Sequence, residues 1–339
     1  MIEQKIVCFM YAISFLFGVS GAYLIKRYAK ILGFIDYPNN RSSHQMPTAK
    51  GGGIGILLAF ITSSLMLDIR ATIWVPISII AIVSFYGDRV AISAKSRLIL
   101  QFLCSTIVLF PFGLENIHAN SVIFATLEFV AISIFIVGTA NFYNFMDGID
   151  GISATTGIIG FALLALNGKY TGEESSLIVL SISMCFACLG FLPFNIIKER
   201  IFMGDVGSIL LGFLFAVMVY LNSNNMFDFI GISSFIFPYY ADELTTMAIR
   251  IKNREKLTRA HRKHLYQIVA NELKISHLKV SIAYGVIQCL IGISIIITMR
   301  YNKKLAIGAI SLFYIMFAIV NYSIRCRINK RRAFSAYKQ

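Results

Sequence analysis

Five segments of this chain hold acids, amides, glycines and histidines at spacings that could handle a metal ion or an anion. In the first, Asn141, Asn144, Asp147 and Asp150 recur every three residues between apolar neighbours. On a helix face, or in a tighter 3₁₀ turn, that spacing brings the side-chain oxygens together. Converging carboxylate and amide oxygens suit a hard cation such as Mg²⁺, and no Lys or Arg within 141–151 neutralises the acids. The segment 36–53 carries Arg41, His44 and Lys50 ahead of Gly51-Gly52-Gly53. Successive glycines let backbone amides approach an anion and form a nest, so phosphate is a sensible guest. A basic loop resting on anionic lipid headgroups explains the same residues equally well. Asp88, with Lys95 and Arg97 after it, reads by itself as an ordinary loop. In Phe202-Met203-Gly204-Asp205-Val206-Gly207-Ser208 the acid is favoured at a helix N-terminus by the dipole, while the glycines suit a backbone wrapped around a ligand. Finally, His261-Arg262-Lys263-His264 sits in the longest polar stretch, 250–276. Two histidines three apart are too few for zinc; with Arg262 and Lys263 they form a candidate clamp for phosphate charge.

The elements that must position these groups follow from composition. Hydrophobic residues make up 57% of the 339 residues and charged ones only 14%, against about 25% for a soluble domain. Mean hydropathy is +0.72. The net charge of +14 would in a polar protein point to nucleic acid, but so apolar a chain cannot display a wide polar surface in water. No nucleic-acid partner is expected. Eleven apolar runs are candidate membrane spans: 5–25, 54–70, 72–87, 98–114, 121–138, 152–167, 177–194, 206–222, 229–249, 277–299 and 305–324. Alternating barrel strands are absent, so an all-α, polytopic integral membrane helix bundle of about 11 transmembrane helices is expected. Connections after odd-numbered runs and the C-terminal tail hold 25 of the 31 Lys and Arg residues. The positive side faces the cytoplasm, which puts the N-terminus outside and the C-terminus inside. The first run lacks a basic lead and a small-residue cleavage site, so it should remain as a span. Cys185 and Cys188 form a CxxC in mid-run with no histidine beside them, and read as small packing residues. One domain, 1–339, is expected, with its chemistry on the cytoplasmic loops 36–53, 87–101, 139–151, 195–208 and 250–276.

In this order, Arg41-Ser-Ser-His44 with Pro47-Thr48 and the glycine triplet, Asn144-x-x-Asp147-Gly-x-Asp150-Gly, Met203-Gly-Asp205-x-Gly-Ser208 and Ala260-His-Arg-x-His-Leu-Tyr-Gln267 resemble one family. It is the polyprenyl-phosphate N-acetylhexosamine-1-phosphate transferases, the superfamily that includes MraY and WecA, and the likeness is strongest to the WbpL-like enzymes that initiate O-antigen. The resemblance runs from Asp36 to Gln267. It implies transfer of an amino-sugar 1-phosphate from a UDP-linked N-acetylamino sugar to undecaprenyl phosphate, with release of UMP, at the cytoplasmic face of the bacterial inner membrane. By similarity, Asp205 and Asn144 would ligate Mg²⁺, with Mn²⁺ as the alternative. Asp147 would act near the metal and the reacting phosphates, while Asp150 and Phe202 would meet the uracil. Lys95, Arg97, His261, Arg262, Lys263 and His264 would hold phosphate or sugar groups; His44, Lys50 and Gly52 complete the substrate-binding set, and Asp88 the catalytic one. The His261–Gln267 segment is similar to a branch using 6-deoxy amino sugars; GlcNAc and GalNAc stay open as alternatives, and the pentapeptide donor of MraY is disfavoured because the His-rich triplet of that branch is absent. The bilayer and the two substrates are the expected partners, and a second copy of the chain is admitted as another.

One departure stands out. The family usually carries two adjacent aspartates at the end of its third span, and here that pair reads Gly87-Asp88. A role for the first acid in activating the lipid phosphate cannot transfer to this chain. Asp242 and Glu243, near the end of the ninth run, have no assigned role, and His277 has no motif around it. Two rivals stay open on sequence alone: a transporter, whose acids usually sit at broken helices near the midplane, and a lipid-binding scaffold with an inactive site.

Overall fold

A computed structural model describes residues 4–38, 46–90, 92–119, 122–172, 175–196, 201–257 and 261–337. The chain is an all-α polytopic membrane protein. Its helices are α1 (Gln4–Leu32), α2 (Ile54–Met66), α3 (Ala71–Gly87), α4 (Ala94–Ala119), α5 (Val122–Phe145), α6 (Ile152–Thr171) and α7 (Ser175–Ile196). They continue as α8 (Asp205–Leu221), α9 (Met226–Ser233), α10 (Phe237–Lys252), α11 (Leu265–Asn271), α12 (His277–Tyr301) and α13 (Lys303–Tyr337). Among the described residues, seven helices are long and apolar enough to cross a membrane, and α2, α3 and α8 are apolar but shorter. Ten of the eleven apolar runs fall on one helix each. The exception is 229–249, which is split between α9 and α10 by a 3₁₀ turn at Ser234–Ile236. Pro238 opens α10, where a proline's missing N–H costs no helical hydrogen bond.

Lipid tails are as apolar as leucine, so helices in a bilayer associate by close packing rather than by hydrophobic burial. α1 lies along α7 and α2, α6 along α7 and α12, and α8 along α5 and α3. A Cβ on Gly18 would strike the Ala187 carbonyl, and one on Gly190 the Phe15 carbonyl, so small residues set how closely α1 and α7 approach. α8 is enclosed on every side: each residue from Val206 to Val219 is buried. The one acid of this central helix, Asp205, stands at its first position.

A small sheet, beyond the all-α expectation, organises that end of the bundle. β1 (Ile35–Asp36) pairs antiparallel with β2 (Thr48–Lys50), and β2 pairs parallel with β3 (Ile201–Phe202). The pairing continues past β2, where Gly52 N–H donates to the Phe202 carbonyl at 3.0 Å and Gly53 N–H to the Met203 carbonyl at 2.8 Å. Segments about 150 positions apart in the chain thus meet at the start of α8.

Candidate active site

The backbone turns into α8 at Gly204, whose φ is +77°. A side chain is strained there, and a Cβ would also run into the Asp88 carboxylate and the Gly51 backbone. Asp88 follows the last residue of α3 and is 6% exposed. Its Oδ1 accepts from Asp205 N–H at 3.1 Å and its Oδ2 from Val206 N–H at 3.4 Å. Two of the four unpaired amides at the α8 N-terminus are thereby satisfied by a carboxylate from another helix. Lys50 Nζ stands 4.0 Å from Asp88 Oδ1.

This arrangement corrects the reading of the glycine triplet as an anion nest. The amides of Gly52 and Gly53 are spent on the Phe202 and Met203 carbonyls, and a Cβ on Gly53 would collide with the Gly207 backbone. The triplet lets 51–53 and 203–207 pack backbone to backbone. His44 lies outside the described residues.

Asp205 itself is the meeting point of three segments. Asn144 Nδ2 donates to Asp205 Oδ1 at 2.9 Å and to Ser208 Oγ at 2.9 Å. Arg97 Nη1 pairs with Asp205 Oδ2. One helical turn before Asn144, Asn141 donates to Gln101 Oε1 at 2.6 Å, tying α5 to α4 just beyond Arg97.

The three-residue spacing after Asn144 does not bring all four polar groups to one point. α5 ends at Phe145, and the chain then turns through 146–151. Asn144 goes to Asp205, whereas Asp150 Oδ2 lies 2.7 Å from His277 Nδ1 at the start of α12. Asn195 holds the far side of the turn: its Oδ1 accepts from Gly151 N–H at 2.6 Å, and its Nδ2 donates to the Ile201 carbonyl at 2.8 Å. Asp147 remains between the two ends.

Burial raises the Asp147 carboxyl to about 7, partly offset by a hydrogen bond from Ser153, and the charges of Asp205 and Asp150 add to the rise. Asp88 is also pushed up to about 7, by burial and then by the Asp205 charge, against the pull of the α8 amides and Lys50. Between the ordinary carboxylate value of 3.8 and about 7, the folded chain holds protons that an unfolded chain has released. Stability contributed by these two groups therefore falls as pH rises through that window. Without divalent cations, the purified protein is expected to melt at a lower temperature at pH 8 than at pH 5.5. Scanning fluorimetry checks this, and an Asp88→Asn/Asp147→Asn variant should flatten the difference.

The His261–His264 loop is held from three directions. Asp242 of α10 is fully buried; its carboxylate accepts from Leu265 N–H at 2.7 Å, Tyr266 N–H at 3.1 Å, Tyr284 OH at 2.8 Å and Thr246 OH at 3.2 Å. Arg325 of α13 donates to the Lys263 carbonyl at 2.5 Å. Tyr266 OH donates to the Phe145 carbonyl at 3.1 Å. A Cβ on Gly148 would meet that hydroxyl and the Gln267 amide, so the missing side chain lets α11 lie on the 145–148 turn. Burial lowers both histidines to about 4; the other histidine and Arg250 add to this at His261, and Arg325 and Arg250 at His264. Both rings are therefore neutral at pH 7, which corrects their reading as cations of the clamp. The positive groups of this loop are Arg262 and Lys263, and Lys263 Nζ is 2.5 Å from Glu255 Oε1.

Lys95 is exposed, and Phe202 contributes its carbonyl to Gly52. Sequence reasoning places Gln101 and Asn195 in the expected loops 87–101 and 195–208 without a role, and misses Asp242, Glu243, His277 and Arg325 as parts of this region. A usable signal existed for the acids: Asp242 and Glu243 follow a Phe-Pro-Tyr-Tyr-Ala run in an otherwise apolar stretch. His277 and Arg325 carried none, because their partners lie 127 and 62 residues away.

Among the described residues, a Cβ on Gly87 would meet the Ile92 side chain at 3.4 Å, an ordinary van der Waals contact. Gly87→Asp is expected to fold and to change turnover by less than about tenfold, as measured by UMP release. A rise of roughly 10²-fold would mean instead that the chain lacks a general base.

The fold and this region define a class: a polytopic membrane protein with carboxylates, amides and cations gathered around the buried N-terminus of a central helix. Residues 71–223 match the model of glycosyl transferase family 4. The chain is 28% identical over 261 residues to a probable undecaprenyl-phosphate N-acetylglucosaminyl 1-phosphate transferase of Bacillus subtilis, covering 72% of this chain and 71% of that one. It is 33% identical over 191 residues to the phospho-N-acetylmuramoyl-pentapeptide-transferase of Staphylococcus saprophyticus, covering 53% of this chain and 58% of the relative. Against the protein of that name from Staphylococcus aureus strain RF122, identity is 28% over 270 residues, 71% of this chain and 83% of the relative. The chain is thus similar to glycosyl transferase family 4 over residues 71–223, and over a wider stretch to relatives that are undecaprenyl-phosphate N-acetylglucosaminyl and phospho-N-acetylmuramoyl-pentapeptide transferases.

Proposed function

We propose that the protein transfers an N-acetylated amino-sugar 1-phosphate from a UDP-sugar to undecaprenyl phosphate, releasing UMP and initiating O-antigen or another bacterial cell-surface polysaccharide. The observation that carries this reading is the convergence of Arg97, Asn144 and Asp205 at the start of α8, with Asp88 beneath them. In the transfer, an oxygen of the lipid phosphate forms a bond to the β-phosphorus of the donor, and the bond from that phosphorus to the bridging oxygen breaks, leaving UMP. Catalysis of such a step is mostly positioning and charge neutralisation. A phosphate monoester with a second pKa of about 6 is already largely ionised at pH 7, so it needs little help to lose a proton. That fits a chain with glycine at position 87.

Asp205 and Asn144 offer hard oxygen donors, and among the described residues neither pairs with a thiol or an imidazole. This donor set suits Mg²⁺, or Mn²⁺ as the alternative, with substrate phosphates and water completing the shell. When bound there, the cation would offset the charge of the donor diphosphate. Arg97 neutralises Asp205 from the other side, and Lys50, Arg262 and Lys263 are the cations available to the lipid and donor phosphates. Asp88 keeps the α8 amides in place beneath them, and Asp147 lies within electrostatic reach of Asp205. The concentration of Lys and Arg on one set of loops supports a cytoplasmic site in a bacterial inner membrane, with the N-terminus outside.

Purified protein in nanodiscs, given undecaprenyl phosphate, Mg²⁺ and a panel of UDP-N-acetylamino sugars including the 6-deoxy ones, should release UMP with at least one donor. Silence with every donor would overturn the reading.

A further inference from the structure

Asp242 has four hydrogen-bond donors around it; its neighbour Glu243 has a different situation. Glu243 is 3% exposed, and its Oε2 is sealed from solvent without a hydrogen-bond partner among the described residues. His264, also 3% exposed, has Nδ1 in the same condition. The two atoms face each other at 3.5 Å. A buried polar atom left unpaired costs about 1–3 kcal/mol. A single proton on Nδ1, directed at the carboxylate, removes both deficits together. Which imidazole nitrogen carries the proton is set by the partner of the other ring atom. Here that partner is an acid.

We propose that Glu243 is a positioning residue for His264: it keeps the proton on Nδ1 and leaves Nε2, with its lone pair, as the nitrogen that accepts a hydrogen bond from a substrate hydroxyl. The proposal rests on the transferase reading for the substrate, but not for the orientation of the ring. The remaining charged groups around His264 agree with it. Asp242 Oδ1 is 3.9 Å from Nδ1 but is occupied by Leu265 N–H and Thr246 OH. Arg250 on α10 and Arg325 on α13 both disfavour an imidazolium, and the His261 ring lies 4.7 Å away. A neutral ring cannot hold an ionised phosphate oxygen through an unprotonated Nε2. That duty falls to Arg262 and Lys263, and His264 is left to select a donor group, a phosphate or sugar hydroxyl. The loop is rigid enough for such selection, since Asp242 holds the two amides that follow His264 and Arg325 holds the carbonyl before it.

Protein labelled with ¹⁵N-histidine, in nanodiscs at pH 9, where the Glu243 carboxyl is ionised, and without substrates, reads the tautomer directly; His264→Gln assigns the signal. The expected result is an Nδ1-protonated ring in the unmodified protein, and a shift towards Nε2 protonation in Glu243→Leu. An Nε2-protonated ring in the unmodified protein would overturn the proposal. Leucine in place of a buried acid keeps the volume and is often tolerated; Glu243→Gln is the second variant should that protein fail to fold. In turnover, Glu243→Leu should lower kcat/KM about tenfold, and should cost nothing further when added to His264→Gln. Full additivity of the two losses would overturn the assignment, because a merely structural role for Glu243 would persist without the histidine. A protein that shows the expected tautomer yet releases no UMP from any donor sinks the transferase reading while keeping the orientation of the ring.

Discussion

Asp205→Asn should lower kcat for UMP release by about 10³-fold, the upper end of what one electrostatic contact to a transition state contributes. The substitution keeps the shape of the side chain and removes its charge. Asn144 loses the anionic acceptor of its amide at 2.9 Å, and Arg97 loses its ion pair. The hard-oxygen donor that suits a divalent cation is weakened at the same time. Folding should suffer little. An acid in the first turn of a helix contributes about 0.3–1 kcal/mol through the dipole, and the α8 amides remain satisfied by Asp88. Steady-state kinetics with saturating lipid phosphate, alongside a melting curve, separate the two effects. Turnover within tenfold of the unmodified protein would remove Asp205 from the site.

Asp88→Asn should act differently, on stability and turnover together. Its carboxylate accepts from the amides of both Asp205 and Val206. An asparagine offers one oxygen to these donors and turns an N–H₂ towards the other. Hydrogen bonds to charged groups contribute about 1.5–3 kcal/mol each, and a buried donor left unpaired costs more than the bond it lost. Unfolding in denaturant should register a loss of about 2 kcal/mol. Because the backbone that moves carries Asp205, kcat should fall about 10²-fold, the scale expected when a reacting geometry shifts by an ångström. The double variant Gly87→Asp/Asp88→Asn should not recover activity, since the neighbouring position does not reach the α8 amides. Should Asp88→Asn retain full turnover, Asp88 has no part in the chemistry.

Much of this chain is written locally. A bilayer accepts only backbones whose polar groups are satisfied within the segment, so apolar runs of sufficient length become helices almost without reference to one another. Ten of eleven runs did so singly. The tenth-helix region departed because its apolar pattern contains Pro238, with Asp242 and Glu243 after it, and the backbone there breaks into α9 and α10. The candidate site was legible as residue types: so few acids occur in so apolar a chain that each cluster drew attention. Their pairing was not. The spacing of Asn144, Asp147 and Asp150 pointed to one shared centre, yet the turn at 146–151 sends Asp150 to His277 and Asn144 to Asp205. The glycine triplet looked like a phosphate cradle until β3 took its amides.

The sequence by itself determined the helical membrane architecture, the asymmetry of its positive charge and the residue types available for phosphate and metal chemistry, because each depends on composition and on neighbours within a turn or two. Only the tertiary structure decided that Asp88 caps α8 from another helix, that the two loop histidines are neutral, and that Glu243 faces His264. Hydrogen-bond partnership and desolvation are properties of atoms brought together across 21 to 118 residues of chain, and no local pattern encodes which buried donor will be left opposite which buried acceptor.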